Sequence, residues 1–399
     1  MRKLIFWLHL GCGVVAGLVV LLMSVTGVIL TYERQLLARQ DRVYYAAAPA
    51  NAEALPLEEL ARRATTGTFT PTAIILTNDP AAPAILSAGR SGRRHLNPYT
   101  GEVYAAHSDR LDQFFSTVTG WHRWFNVSGE GRNTARSITA ACNLMFLFLV
   151  LSGIYLWLPA VFRWATFRMR LWFHPNARRG QARDFNWHHV FGFWAFLPLA
   201  VIVATATVFH YSWANDLVYR LAGDVPPSRA QAPGATDIEN ATDSDDLITA
   251  LPLDSLVASA IDSGLPGDWK TLTVNLPAQT DANLTIAIDQ GNGGQPQKRH
   301  TLTLDRGTGA VANWAPFSSQ SPGRQARSWV RFLHTGEALG IIGQTVAGLV
   351  SFFAVLMVWT GLSMSLRRFL AFLDRNRLNA TGPGSLAVNR IPTDPHRRS

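Results

Sequence analysis

Four stretches of this 399-residue chain contain no Asp, Glu, Lys or Arg. Each is longer than the ~20 residues with which an α-helix crosses the hydrocarbon core of a bilayer. They lie between Lys3 and Glu33, between Arg136 and Arg163, between Asp184 and Asp216, and between Glu337 and Arg367. Only 16% of the residues are charged and 48% are hydrophobic, whereas soluble domains carry about 25% charged residues. The sequence therefore predicts a membrane protein with four transmembrane α-helices.

The charges between these helices predict their orientation. Segments 1–3, 163–184 and 367–399 hold 15 Lys and Arg against three acidic residues, and regions 33–136 and 216–337 hold 21 basic and 24 acidic residues. Short loops rich in Lys and Arg stay in the cytoplasm, so both termini are expected there and the two large regions outside. The net charge of +9 is thus a topology signal. It predicts a lipid bilayer as partner and no nucleic acid.

The two large regions are predicted to be small α+β domains of one design. Each begins with a helical pattern and continues into short alternating strands. Each then has Arg-His and an Asx-x-x-Thr-Gly-x-Val turn, at residues 97–103 and 305–311. The helices repeat as well, because His9-x3-Gly13 and His188-x3-Gly192 open the first and third. Two repeats of the same orientation follow, related by a pseudo-two-fold axis along the membrane normal.

These patterns predict eight segments. Transmembrane helices are expected at 1–32, 133–163, 186–214 and 335–366, outside domains at 33–132 (with an interfacial helix) and 215–334, a cytoplasmic loop at 164–185 and a cytoplasmic tail at 367–399.

Histidines mark the ends of the predicted helices. His9 and His188 lie at the cytoplasmic ends of the first and third, and His122 and His334 lie just before the second and fourth on the outer side. Ionisable residues within membrane spans are rare and usually functional. Neutral imidazole ligates haem iron, and helix bundles hold such cofactors between facing helices. We therefore predict two haem sites, one held by His9 and His188 and one by His122 and His334.

The histidines also fit roles without haem. Each taken alone fits an interfacial, hydrogen-bonded residue, above all His122, which two tryptophans flank. A haem-free metal site is an alternative, although no carboxylate or thiol accompanies these positions at ligand spacing. His189 or His210 is a possible replacement ligand, and the remaining histidines are expected to be structural. The cysteines, Cys12 and Cys142, form no C-x-x-C-H motif, which excludes covalent c-type haem.

A pair of small or hydroxyl-bearing residues recurs deep in each predicted helix. Such residues let helix backbones approach closely, and they would equally give a smooth surface for a flat cofactor. The pairs are Thr26-Gly27, Ser152-Gly153, Thr205-Ala206 and Thr360-Gly361.

Several motifs together resemble one known family over nearly the whole chain. They are His9-x3-Gly13 with Ser24-Val-Thr26-Gly27, His122 ahead of Ser152-Gly153-x3-Trp157, His188-x3-Gly192-Phe-Trp194, WANDLVYRLAG at 213–223, and His334-Thr-Gly336-Glu337. This combination resembles the bacterial PepSY-associated transmembrane proteins, of the iron-regulated inner-membrane and ferric-siderophore reductase type. The outside domains resemble PepSY modules through Thr100-Gly101 and Thr308-Gly309. Ala206 departs from the family, which commonly has glycine there.

The resemblance implies an oxidoreductase of the bacterial inner membrane that contains two haem b groups. It would pass electrons to a ferric siderophore in the periplasm and release the iron as Fe(II) for iron uptake. The short cytoplasmic segments are too small for a nucleotide-binding domain, so a quinol or a separate reductase is the expected electron donor.

Two functions compete with this one. The first is a membrane-anchored PepSY binding module that restrains a periplasmic protease or senses a ligand, without redox activity. The second is a permease, which needs polar residues along a pathway at mid-span. The spans offer little beyond Asn143 and Gln344, which are more easily explained as interhelical hydrogen-bonding residues. Haem content distinguishes the reductase from the binding module.

Overall fold

The structure is a computed structural model, and it describes residues 1–48, 53–89, 92–105, 110–159, 161, 163–177, 180–227, 250–263 and 267–380. In these residues, two groups of strands interrupt a series of helices. The helices are α1 (Arg2–Leu30), α2 (Glu33–Asp41), α3 (Leu57–Ala64), α4 (Arg110–Trp124), α5 (Gly131–Trp157), α6 (Trp164–Leu171), α7 (Gly180–His210), α8 (Ser212–Leu221), α9 (Leu253–Asp262), α10 (Pro322–Thr335) and α11 (Gly340–Ala380).

Four helical segments are long and apolar enough to cross a membrane, which confirms the number predicted from the missing charges. They are Arg2–Tyr44, Gly131–Trp157, Gly180–His210 and Glu337–Arg377. Helix α4 directly precedes the second segment. Helix α11 continues to Ala380, so the first part of the predicted cytoplasmic tail is helical. The rest of that tail lies outside the described residues.

The chain divides into two compact units. The first contains Met1–Leu21, Met145–Phe196 and, as far as it is described, Phe353–Ser399. The second contains Leu22–Leu144 and Leu197–Phe352. Each long helix contributes one end to each unit, and all strands belong to the second unit.

The described strands form one antiparallel sheet of seven strands. Their bounds are β1 (Ala73–Thr77), β2 (Ala84–Ser87), β3 (Arg93–Leu96), β4 (Thr271–Asn275), β5 (Asn283–Asp289), β6 (Arg299–Asp305) and β7 (Val311–Pro316). Their order is β3-β2-β1-β4-β5-β6-β7. Strands β1 and β4 join the two predicted α+β regions, in a register that runs from Ala73 opposite Asn275 to Thr77 opposite Thr271. The two regions therefore share a single sheet.

One face of this sheet forms the core of the second unit. Along β5 the buried residues Leu284, Ile286 and Ile288 alternate with less buried ones, as expected where one sheet face packs and the other meets solvent. Helices α3 and α9 cover the buried face through Leu60 and Leu256, both at most 1% exposed. The core is continuous across the β1–β4 junction.

Both predicted Thr-Gly turns are present. The side chain of Asn97 accepts hydrogen bonds from the backbone N–H of Tyr99 (2.9 Å) and Thr100 (3.2 Å). Asp305 Oδ1 accepts one from the backbone N–H of Thr308 at 2.8 Å. The glycine that follows each threonine has a positive φ, 68° and 73°, a conformation that costs glycine little.

Mid-span polar residues make interhelical hydrogen bonds, which confirms their interpretation from the sequence. Asn143 Nδ2 on α5 donates to the carbonyl of Val203 (3.3 Å) and to Thr207 Oγ1 (3.0 Å) on α7. Gln344 Nε2 on α11 donates to the carbonyl of Thr31 at 3.1 Å. Both side chains are almost fully buried, and their hydrogen bonds offset the cost of that burial.

The alternation along β5 gives a stability prediction. We expect Ile286→Ala to lower the free energy of unfolding of the sheet by about 2–5 kcal/mol, because it leaves a cavity at a fully buried position. Amide hydrogen exchange of β5 and β6 in the full-length protein measures this loss. The matched control is Thr285→Ala, one residue earlier on the other face, which should cost less than about 1 kcal/mol. Equal losses in the two variants would contradict the assignment of the buried face.

Candidate functional site

The first histidine cluster lies in the first unit and contains His9 and His188. His9 Nδ1 on α1 lies 2.8 Å from Ser152 Oγ on α5. His188 Nδ1 on α7 lies 3.1 Å from both the carbonyl oxygen of Met357 and Thr360 Oγ1 on α11. The two rings are partly buried and within electrostatic range of each other. We call these two residues the His9/His188 cluster.

The second histidine cluster lies in the second unit and contains His122 and His334. His122 Nδ1 on α4 lies 2.9 Å from Thr26 Oγ1 on α1. His334 Nδ1 on α10 lies 2.9 Å from the carbonyl oxygen of Ile202 and 3.3 Å from Thr205 Oγ1 on α7. The ring centroids of the two histidines are 6.4 Å apart. We call these two residues the His122/His334 cluster.

The hydroxyl partners determine which ring nitrogen carries the proton. A hydroxyl has one hydrogen, and each of the four already donates it to the carbonyl four residues earlier in its own helix, at 2.6 to 2.8 Å. These bonds run from Thr26 to Leu22, from Ser152 to Phe148, from Thr205 to Val201 and from Thr360 to Leu356. The hydroxyl oxygen must therefore accept a hydrogen bond from the histidine Nδ1–H. In all four rings Nε2 then has a free lone pair, the form of imidazole that binds metals.

The small residue after each hydroxyl makes room for the ring. A Cβ added to the three glycines would lie 3.4 to 3.6 Å from the Cε1 atom of the neighbouring histidine. The contacts are Gly27 with His122, Gly153 with His9 and Gly361 with His188. This is ordinary van der Waals contact, so an alanine fits and a larger side chain does not. The fourth position is Ala206, where the family that the sequence resembles commonly has glycine.

The two histidines left open by the sequence have different surroundings. His189 Nδ1 donates to the carbonyl of Phe185 on its own helix at 2.8 Å, and its ring lies 4.0 Å from the Phe185 ring. His210 Nδ1 is buried and has no hydrogen-bond partner among the described residues. Neither ring has an interhelical hydroxyl partner of the kind found at the four clustered histidines.

Two further histidines belong to the sheet. His95 on β3 stacks on Tyr44 with centroids 4.2 Å apart. His300 on β6 stacks on Trp314 at 5.4 Å, and its Nε2 lies 2.6 Å from Gln290 Oε1. Both rings pack within the sheet region, in agreement with the structural role expected for them.

A buried carboxylate supports the His9/His188 cluster. Asp184 is fully buried on α7, one turn before His188. Its Oδ1 accepts from Arg183 at 2.8 and 2.9 Å, and its Oδ2 accepts from Ser363 at 3.0 Å and from Arg367. These contacts tie α7 to α11, the helix that holds the Nδ1 partners of His188.

A second ion pair supports the His122/His334 cluster. Glu337, three residues after His334, accepts two hydrogen bonds from Arg34 on α2, at 3.0 and 3.2 Å. Glu337 is 9% exposed. A bidentate pair of this kind fixes geometry as well as charge, so it holds the segment after His334 against α2.

The His122/His334 cluster is neutral at pH 7. Burial and the neighbouring His334 lower the pKa of His122 to about 4. Burial also lowers the pKa of His334 below its usual range. Two charged imidazoles at this separation would repel each other. Neutral rings agree with the tautomer that the hydroxyl hydrogen bonds impose.

An apolar groove of about 310 Å³ lies in the first unit. Residues of α1, α7 and α11 line it: Leu21, Arg183, Asp184, Trp187, Val355, Leu356 and Trp359. Its walls are apolar except for the Arg183–Asp184 pair. The groove is adjacent in sequence to His188 and to its partner Thr360.

Comparison with known protein families shows to which family the chain belongs. The family model described as "PepSY-associated TM region" matches residues 6–368. The chain belongs to this family. A comparison with curated proteins found no match. In this PepSY-associated TM protein both histidine clusters lie inside the matched region.

The fit of haem to the PepSY-associated TM protein rests on the donor set. The ring centroids of His122 and His334 are 6.4 Å apart, so both imidazoles could face one bound group. Among the residues that the structure describes, no group of three or more His, Cys, Asp or Glu is placed to hold a metal ion. Paired neutral imidazoles would suit haem iron, which proteins hold through histidine.

Sequence reasoning identified the histidines of this PepSY-associated TM protein but missed their anchors. The hydroxyl–small pairs suggested helix packing or a cofactor surface, and the structure shows that each pair holds one histidine ring. The sequence contained one indication of these anchors, which was the matching number of pairs and histidines. Four such pairs accompany four terminal histidines, one pair in each long helix.

Proposed function

We propose that this protein is a haem-b-containing reductase that passes electrons across a membrane to a ferric siderophore. One observation carries the proposal. Four histidines, in two pairs, each have Nδ1 anchored to another helix, which leaves Nε2 with a lone pair and, among the described residues, without a hydrogen-bond partner. Metal-binding histidines typically donate their second nitrogen to a fixed acceptor in this way. Solvent-facing structural histidines do not need such an anchor.

Each pair has a defined task in this proposal. His9 and His188 would hold one haem b, and His122 and His334 the other. The hydroxyl and carbonyl partners orient the rings and fix their tautomer, so that Nε2 faces the metal. When bound, haem b supplies a one-electron Fe(III)/Fe(II) couple. The hydrophobic residues around the clusters exclude water, which affects the reduction potential.

The substrate step is a one-electron reduction. The ferric iron of the siderophore gains one electron and becomes Fe(II), with no bond to the protein formed or broken. Siderophore oxygens are hard ligands that bind Fe(III) better than the softer Fe(II). Reduction therefore weakens the complex and releases the iron.

The proposed location is the bacterial inner membrane, with both termini in the cytoplasm and the sheet in the periplasm. The support is the distribution of Lys and Arg, which concentrates in segments 1–3, 163–184 and 367–399. The electron donor would be a quinol or a separate reductase. The apolar groove lined by residues of α1, α7 and α11 is a place where the ring of a quinol could bind.

Absorption spectroscopy tests the proposal. The detergent-purified protein should show a b-type haem spectrum that changes on reduction with dithionite, and a pyridine haemochrome assay should give two haems per chain. Adding a ferric siderophore to the reduced protein should reoxidise the haem and form Fe(II), which a ferrous chelator detects. A colourless protein that cannot be reconstituted with haem would refute the reductase and favour the anchored PepSY binding module.

A further inference from the structure

Four arginines gather around the His122/His334 cluster. Arg123 on α4 and Arg132 on α5 share one aromatic platform, because their guanidinium carbons lie 4.8 and 4.0 Å from the Trp124 ring. Arg136 Nη2, one turn further along α5, donates to the carbonyl of Phe209 at 3.3 Å. We call these three residues together with Arg331 of α10 the arginine cluster.

The cluster adjoins the proposed haem ligands on two helices. Arg123 follows His122 directly, and Arg331 lies three residues before His334, a spacing that puts both side chains on one helix face. The Phe209 ring, whose backbone carbonyl binds Arg136, contacts His334 edge-on with centroids 5.4 Å apart. Arg123, Arg331 and Arg136 therefore lie next to the ligand pair in sequence or through Phe209, on α4, α10 and α5.

The positive charges of the cluster are not balanced locally. None of the four arginines has a carboxylate within 4 Å among the described residues. The positive charges of Arg132, Arg136 and Arg331 act on Arg123, and like charges repel one another. All four side chains are exposed at the surface. A cluster of like charges held on aromatic and carbonyl groups costs stability, which a bound anion would recover.

We infer that the arginine cluster is the docking site for the substrate and selects ferric chelates that carry carboxylate groups and a net negative charge. This inference rests on the proposed function and adds the substrate class to it. Arginine pairs with carboxylates through two parallel hydrogen bonds. A chelate bound there would lie beside His122 and His334.

The number of charges favours a dissolved chelate over the cofactor as the partner. A haem b carries two carboxylates, whereas the cluster presents four guanidinium groups. The exposure of all four also makes them reachable from solution. If each haem carboxylate paired with one arginine, two guanidinium groups would remain for an external anion.

A binding experiment with redox-inert chelates tests the inference. The probes are the gallium(III) complex of citrate, which is anionic and rich in carboxylate, and the gallium(III) complex of an uncharged trihydroxamate. Isothermal titration calorimetry gives the affinity of each for the full-length haem-loaded protein in lipid nanodiscs. The variant is Arg123→Gln with Arg331→Gln, and the matched control is Arg39→Gln, an exposed arginine of α2 without an ion pair to a described residue.

We expect the substitutions to weaken binding of the anionic complex and not of the uncharged one. In the double variant the affinity for the citrate complex should fall about tenfold or more, since two charge-assisted hydrogen-bonding groups are lost. The affinity for the uncharged complex should change by less than about twofold. The wild-type affinity for the citrate complex should also fall with added salt, because exposed charges are screened. The control should behave as the wild type.

Three outcomes would overturn the inference. They are equal affinities of the wild type for both complexes, equal losses for both in the double variant, and loss of haem from the double variant, which would assign the arginines to the haem carboxylates. A failure of the proposed function would give different results from a failure of this inference. A protein without haem can still bind the citrate complex, and a protein with two haems that reduces only the uncharged ferric complex keeps the function while refuting the docking site.

Discussion

The variant His334→Ala is expected to bind one haem per chain instead of two and to lose at least 99% of ferric-siderophore reduction. The side chain of His334 supplies one of the two Nε2 donors in the His122/His334 cluster, and alanine has no donor to replace it. His122→Ala should give the same result. Haem stoichiometry by pyridine haemochrome and the rate of Fe(II) formation measure the two losses. The remaining haem should keep the spectrum of the His9/His188 site, because the two clusters have no residue in common.

Two controls separate ligation from general damage. His300→Ala removes a ring that stacks on Trp314 in the sheet, and it should leave both haems in place. His189→Ala tests the alternative that His189 ligates in place of His188. Retention of two haems in His334→Ala, or loss of one in His189→Ala, would contradict the proposed ligand pairs.

The bilayer explains why the long helices could be predicted from the sequence. A charged side chain in the hydrocarbon core is costly, so spans appear as charge-free stretches that need no knowledge of tertiary contacts. The Thr-Gly turns were equally predictable. A glycine at positive φ and an Asx side chain that caps its own turn are local features, and both occur at Gly101 and Gly309.

Long-range pairing explains what the sequence did not predict. Strands β1 and β4 are almost 200 residues apart, and neither the apolar run of β1 nor the alternation of apolar and polar residues along β4 selects a particular antiparallel neighbour. Nothing local in residues 73–77 indicates that their partner belongs to the other α+β region. The hydrogen bonds that anchor the histidines could not be predicted for the same reason. Ser152 and His9 meet only because α1 packs against α5, and the spacing along either helix does not contain that contact.

Each histidine cluster combines a fixed ring with a fixed helix. In the first unit Asp184 ties α7 to α11 through Ser363 and Arg367. In the second, Glu337 ties the segment after His334 to Arg34. Ligands of a redox metal need such rigidity, because movement of the ring on electron transfer adds a reorganisation cost. The ion pairs therefore fit the same function as the Nδ1 anchors, although they touch no histidine.

Ser152→Ala is expected to weaken haem binding at the His9/His188 site by about 10- to 100-fold, the usual cost when a metal-binding histidine loses the acceptor of its other ring nitrogen. Ser152 Oγ is the Nδ1 acceptor of His9, at 2.8 Å. Without it the ring is free to rotate and to place its proton on Nε2, a form that cannot bind iron. Thr360→Val should weaken the same site by less than about threefold, because His188 Nδ1 keeps the Met357 carbonyl at 3.1 Å.

The ranking of these two variants decides between an anchor and a packing role. The rate of haem transfer to excess apomyoglobin, followed in the Soret band, measures retention at the His9/His188 site. Ser365→Ala is the matched control, since Ser365 donates to its own helix at the Gly361 carbonyl (2.8 Å) as Ser152 does at Phe148 but contacts no clustered histidine. If the hydroxyls served only close helix packing, Ser152→Ala and Ser365→Ala would retain haem equally, because each removes one side-chain atom, and Thr360→Val, which keeps the size of the side chain, would differ little from them. If they are anchors, Ser152→Ala loses haem fastest, because it alone leaves a histidine without an Nδ1 acceptor.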